Sequence, residues 1–310
     1  MTSTPQPRAK PDSVESTGVG AIRSRIAPTP SGYLHVGNAV NFLLTSWLVR
    51  ERGGRLALRI DDIDQARCRP EYVEDIFRSL DWLGIDCDEG PDGPDSFYRD
   101  FTMADRGGHY RVGLDRLAAG GIELYGCACS RKSRAVAAAS AGSGAPGTVA
   151  ASGCPGGCRE LRLPMVAGQT AVRMHVPTGS RVAVGDRIVD LNTSIGDPIL
   201  WRRDGVAAYQ LASVIEDRDM AVTAIVRGED LLASSALQVM VAPQLGARLF
   251  AAADFRHHGL VTGRDGVKLS KSVESASLRD YAGSTGLWDR IRRVARRLGE
   301  PIDIHQPDGC

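Results

Sequence analysis

The stretch Arg25-Ile-Ala-Pro-Thr-Pro-Ser-Gly-Tyr-Leu-His-Val-Gly-Asn38 decides how the rest of the chain is read. It opens inside a short β-prone segment, Arg23 to Ile26, and passes through the turn Ala27-Pro-Thr-Pro-Ser-Gly32. From about Val36 to Glu51 the apolar residues Val40, Leu43, Leu44, Trp47 and Leu48 recur at helical spacing, and Gly53-Gly54 ends the helix. Working outward, Arg55 to Ile60 reads as a second strand, and Pro70 at a first helical position opens a helical run through Leu83. Strand, helix, strand, helix in that order predicts an α/β fold on a mostly parallel, doubly wound sheet.

The middle of the chain breaks the rhythm. Between Ala135 and Gly153, 15 of 19 residues are Ala, Gly or Ser, too few apolar groups to build a core, so this is a loop. Its Gly142-Ser-Gly-Ala-Pro-Gly147 matches a dinucleotide fingerprint only in form, since neither the strand before it nor the helix after it is present in the pattern. Short β-like segments follow at Ala171–Val176, Arg181–Leu191, Ile199–Arg203 and Ala207–Val214, then a strand at Val222–Val226 and a helix at Leu231–Leu245. The expected division is therefore a tail at 1–20, a first half of the sheet domain at 21–126, an insertion at 127–200, a second half at 201–275 and a short helical segment at 276–310.

The 310 residues carry 38 basic and 37 acidic side chains, a net charge of +1, which gives no case for nucleic-acid binding by the molecule as a whole. Any RNA contact has to be a local patch. No apolar run approaches the roughly 20 residues of a membrane-spanning helix. Residues 1–20 lack an apolar h-region and read as a disordered tail, so the expected location is the cytoplasm, without membrane attachment, as a monomer.

Two constellations point to nucleotide chemistry. The turn Pro30-Ser-Gly-Tyr-Leu-His-Val-Gly-Asn38 stands at a helix N-terminus, whose amides and partial positive charge suit phosphate. Gly32 and Gly37 let a ligand approach the backbone and His35 can donate to it; the alternative is that His35 only caps the helix. The second is Asp265-Gly-Val-Lys-Leu-Ser-Lys-Ser272, which holds two of the chain's four lysines (Lys10, Lys132, Lys268, Lys271). Two ammonium groups on a Gly-led turn suit a triphosphate, with a solvated basic turn as the alternative.

Taken together, P-S-G-x-L-H-x-G-N and K-L-S-K-S resemble the HIGH and KMSKS signatures of class I aminoacyl-tRNA synthetases. Leu58-Arg-Ile-Asp-Asp-Ile-Asp64, Ala208-Tyr-Gln-Leu-Ala-Ser-Val-Ile-Glu-Asp217 and Val226-Arg-Gly-Glu-Asp-Leu-Leu232 look like the glutamyl branch, and the likeness runs from about residue 23 to residue 275. Only 38 residues follow Ser272, too few for a helical anticodon-binding domain, so the architecture is similar to the truncated glutamyl-queuosine tRNA(Asp) synthetase family. That resemblance implies a Rossmann-like class I domain with a zinc-bearing insertion. The implied activity is ATP-dependent activation of L-glutamate to glutamyl-adenylate, followed by transfer to queuosine at the wobble position of tRNA(Asp). The rivals are a shortened glutamyl enzyme charging a tRNA 3′ end and a non-catalytic glutamate or nucleotide sensor.

The resemblance also assigns roles. His35, Lys268 and Lys271 would be catalytic, stabilising charge at the α-phosphate, with Mg²⁺ accompanying ATP. His35, Gly37, Asn38 and Lys271 would hold ATP, while Arg25, Ile26, Ala27, Pro28, Thr29, Asp61, Tyr209 and Arg227 would hold glutamate. Asp61 stands where the family usually carries Glu, one methylene shorter, and Asn38 replaces the last His of the HIGH signature. The run Asp61, Asp62, Asp64 has a second reading, as a capping loop paired with Arg59 and Arg67.

Cys127-Ala-Cys129, 24 residues, then Cys154-Pro-Gly-Gly-Cys158 form two close thiol pairs that suit one tetrahedral, structural Zn²⁺ with no open position for catalysis; an empty thiol cluster and a redox role are the alternatives. Similar enzymes often carry Tyr where this chain has Cys154. Arg290, Arg292, Arg293, Arg296 and Arg297 crowd one helix, either as a phosphate contact or as a solvated face. His257-His258 reads as structural, within a strand, and Cys68, Cys87 and Cys310 as thiols outside the cluster.

Overall fold

The structure is a computed structural model that describes residues 22–130, 132–133, 154, 157–259, 277–281 and 288. The 1–20 tail, the whole Ala/Gly/Ser run, the lysine pair and the Arg290–Arg297 cluster lie outside the described residues. In chain order the strands are β1 (Arg23–Ile26), β2 (Arg55–Leu58), β3 (Leu124–Cys127), β4 (Ala171–Met174), β5 (Arg181–Val184), β6 (Arg187–Asp190), β7 (Ile199–Trp201), β8 (Ala224–Gly228) and β9 (Asp254–His258).

β1 and β2 pair in parallel, with Arg23 opposite Arg55 and Ile26 opposite Leu58, and the helix Val36–Glu51 makes the crossover. That helix forms because Val36, Val40, Leu44 and Leu48 repeat every four residues and are all buried, each burial being worth roughly 1.5–3 kcal/mol. Beyond β2 a parallel bridge joins Ala57 to Glu89. On the other side of β1, Thr223 N donates to Arg23 O (2.9 Å) and Ser24 Oγ to Ala224 O (2.8 Å), seating β8 beside it. β8 pairs in parallel with β9. The C-terminal ends of β1, β2 and β8 thus gather at one edge, where open parallel sheets bind their ligands.

Between these halves β3, β4 and β7 form an antiparallel sheet and β5 and β6 a hairpin, so the fold is mixed α/β. The parallel doubly wound pattern expected from the sequence holds for the flanking strands. One expectation fails: Ala207–Val214 is not β-like, because Tyr209–Asp219 is a helix. Seven consecutive residues of it, Leu211 to Asp217, are buried, and a helix buried all round has no polar face to betray its period. The Arg181–Leu191 segment is two strands with a turn at Gly185. Among the described residues no helix is long and apolar enough to cross a membrane.

The Glu89 edge tests how tightly this sheet is built. Gly90 has φ +107°, and a Cβ there would lie 2.2 Å from Leu58 O. Gly90→Ala should therefore lower the unfolding free energy by roughly 2–4 kcal/mol in a urea titration, from backbone strain plus the clash.

Candidate functional site

His35 is the N-cap of the Val36–Glu51 helix. Its Nδ1 accepts from Gly37 N (3.1 Å) and its backbone N donates to Asn38 Oδ1 (3.1 Å). The first contact fixes the tautomer: a ring nitrogen that accepts carries no proton, so in the neutral ring Nε2 bears it and is the donor. The imidazole folds over residue 37 so closely that a Cβ there would meet His35 Cε1 at 2.9 Å, which is why glycine occupies the position. The capping reading of His35 is therefore what the structure has, and it leaves Nε2 as the protonated nitrogen.

The chain returns to this turn at Ser277, which bridges to His35, and Leu278 N donates to Leu34 O (2.8 Å). Asp75 fastens both sides: Oδ2 accepts from Leu34 N (3.3 Å) and Oδ1 from Arg279 Nε (2.6 Å), while the Arg279 guanidinium lies 4.2 Å from the Tyr33 ring centroid. Lys271 is six residues before Ser277, outside the described residues.

The second part of the site is a buried cluster of arginines. Arg25 comes from β1, Arg59 from just past β2 and Arg227 from β8; all three are nearly inaccessible to solvent. Arg25 Nε and Arg59 Nη1 donate to Asp217 Oδ1 (2.7 and 2.6 Å), and Arg227 Nη2 lies 3.4 Å from Asp217 Oδ2. Arg59 also grips both oxygens of Asp61 (2.6 and 3.1 Å). Arg227 Nη1 donates to Gln238 Oε1 (2.6 Å) and Ser235 Oγ (3.1 Å), and its guanidinium lies 6.0 Å from the Tyr209 ring. Among the described residues Arg227 Nε is buried without a hydrogen-bond partner, and no bond engages the Nη groups of Arg25. Three cations face two anions, which leaves one positive charge in excess.

The acidic run divides by role. Asp61 is held by Arg59 and Asp64 by Arg67 (2.8 Å), the arginine pairing of the second reading, while the helix that follows has Arg69 as its N-cap, with no side-chain bond. Asp62 is buried, accepting from Met103 N (2.7 Å), Gln65 Nε2 (2.9 Å) and Thr102 Oγ1. Pro28 O accepts from Asp61 N (2.8 Å), which lays the Ala27–Thr29 turn beside this run. Sequence reasoning does not single out Asp217, the carboxylate that joins these arginines, and reads Arg59 only as a partner for the acids. Two acids, Glu216 and Asp217, ending the otherwise uncharged Leu211–Asp217 run are the available signal.

The cysteines converge as expected. Their four sulfurs lie within 4.8 Å of one another, with Cys127–Cys154 and Cys129–Cys154 at 3.7 Å and Cys129–Cys158 at 3.6 Å. Sulfurs placed tetrahedrally about 2.3 Å from a zinc ion stand about 3.8 Å apart, so the donor set fits the metal.

Residues 21–305 match the family described as tRNA synthetases class I (E and Q), catalytic domain. The chain belongs to that family. This class I synthetase chain is 42% identical over 267 residues to the Glutamyl-Q tRNA(Asp) synthetase of Symbiobacterium thermophilum, covering 82% of the chain and 79% of that relative. It is 35% identical over 295 residues to a glutamate–tRNA ligase of Halorhodospira halophila, covering 91% of the chain but only 59% of the relative's length. A glutamate tRNA ligase structure from Elizabethkingia meningosepticum shares the fold, with TM-score 0.62 at 24% identity over 81% of this chain and 52% of that one. The α/β fold is thus that of a class I synthetase catalytic domain.

Within this synthetase domain His257 adjoins the cluster, its Nε2 2.9 Å from Ser235 Oγ. Burial, followed by the nearby Arg227 charge, pushes its pKa from 6.5 down to about 4. The unfolded chain therefore takes up this proton first as pH falls, so the stabilisation is complete above pH 6.5 and is lost between 6.5 and about 4. Thermal melts across that range should show a smaller loss for His257→Gln than for the unaltered protein.

Proposed function

We propose that the chain activates L-glutamate with ATP, forming glutamyl-adenylate, and transfers the glutamyl group to queuosine at the wobble position of tRNA(Asp). The excess positive charge of the arginine cluster carries this reading. L-Glutamate has a net charge of −1 and glutamine none, so only glutamate neutralises the site; a charge-assisted bond lost to glutamine costs roughly 1.5–3 kcal/mol. Arg25 and Arg227 take carboxylate oxygens on their unengaged nitrogens, Tyr209 borders the same pocket, and the 26–29 turn with Asp61 closes it.

His35 donates from Nε2 to the α-phosphate as the substrate carboxylate attacks in line; Gly37 N holds the ring through Nδ1 and Asn38 Oδ1 holds the His35 backbone N. Lys268 and Lys271 share the developing charge. Bound with ATP, Mg²⁺ would supply positive charge at the departing pyrophosphate. In this reading 21–126 and 201–275 form the catalytic halves, and the 127–200 insertion carries one structural zinc on Cys127, Cys129, Cys154 and Cys158. The higher identity to relatives named Glutamyl-Q tRNA(Asp) synthetase, 42% and 38%, favours the queuosine acceptor.

The test supplies labelled glutamate, ATP and Mg²⁺ with three acceptors: tRNA(Asp) bearing queuosine but trimmed of its 3′-terminal adenosine, the same tRNA without queuosine, and unmodified tRNA(Glu). Label on the first alone is expected. Label on tRNA(Glu) supports 3′-end charging instead, and no glutamate-dependent pyrophosphate exchange supports a sensor. For the insertion, metal analysis of the purified protein should find one zinc per chain. Cys154→Ser should hold it at least about 10-fold less tightly against a chromophoric chelator.

A further inference from the structure

We infer that Asp217 is a positioning residue for glutamate: it touches no substrate, but it aims the two guanidinium groups that do. This inference rests on the glutamate site proposed above. Asp217 sits in the last turn of the Tyr209–Asp219 helix and is fully buried, and its two oxygens reach arginines from three places in the parallel sheet. Its neighbour Glu216 is committed elsewhere, to Arg106 Nε (2.5 Å) and Tyr110 Oη (2.8 Å), so Asp217 is the carboxylate that joins all three arginines.

The manner of engagement matters. Asp217 takes Arg25 through Nε, and among the described residues no bond engages the Nη groups of that arginine. It takes Arg227 through Nη2, while Ser235 and Gln238 hold Nη1, so Nε is the nitrogen left over. Arg59 is pinned between Asp217 and Asp61 and has little left to offer a ligand. Burial alone would raise the Asp217 carboxyl, but the charges of Arg25, Arg59 and Arg227 outweigh it and hold it below the usual carboxylate range. The charge is thus permanent at neutral pH, and the orientation it imposes is permanent with it.

Charge and orientation predict opposite results for Asp217→Asn. The substitution raises the positive excess from one to two, and on charge alone it should tighten binding of an anion. If Asp217 acts by aiming, the guanidinium groups repel and turn, and binding weakens. Calorimetric titration of the full chain with L-glutamate, and separately with ATP, distinguishes them. Expected for Asp217→Asn is a glutamate Kd raised at least about 30-fold, with the ATP Kd moving less than about 3-fold. Glutamate binding that is unchanged or tighter overturns the inference, and so does an equal loss for both ligands, which marks a general structural defect.

Asp217→Glu covers the case in which the neutral variant fails to fold. It keeps the charge but moves the carboxylate by one methylene, and it should weaken glutamate binding while melting within a few degrees of the unaltered protein. Wild-type glutamate affinity in that variant overturns the aiming role. Failure of the unaltered protein to bind glutamate at all removes the site reading itself, an outcome distinct from either variant's behaviour.

Discussion

Three guanidinium groups cannot share a dry interior unless carboxylates stand between them, because desolvation and mutual repulsion act in the same direction. Most of what is distinctive in this chain follows from meeting that demand. Arg25, Arg59 and Arg227 arrive from separate strands, and the sheet can close only where Asp217 and Asp61 are on hand to separate them. Acids that balanced the arginines completely would make a structural knot. Falling one charge short leaves a cluster that an anion would complete, out of bulk water where each bond is strong.

The second half of the site is built from a helix end. Helix Val36–Glu51 needs a cap, and His35 supplies one through Nδ1 with a side chain that keeps a second ring nitrogen. Serine or aspartate would satisfy the same amide with no ring nitrogen left to donate. The choice of histidine, with glycine beneath its ring, is one that a purely structural cap does not require.

Legibility in the sequence followed the physics of burial. The strand Arg23–Ile26 and the helix Val36–Glu51 were readable because an apolar period, a proline-rich turn and a glycine stop agree with one another. The Tyr209–Asp219 helix was not, since its buried residues run consecutively and the period is masked. The cysteine cluster was legible from spacing alone. Arg59 and Asp217 were both on the page, inside strings that resemble the glutamyl branch, but a linear reading pairs Arg59 with its neighbour at 61. Nothing in one dimension says that a carboxylate 158 residues away completes the group.

Asp75 has a mechanical consequence. One of its oxygens holds the amide of Leu34 and the other the side chain of Arg279, so a single rigid carboxylate is shared by the first turn and by the stretch that returns to it more than two hundred residues later. The two cannot drift apart while both bonds last. The imidazole and the returning backbone at Ser277 move as one body, like two pages held by a single staple.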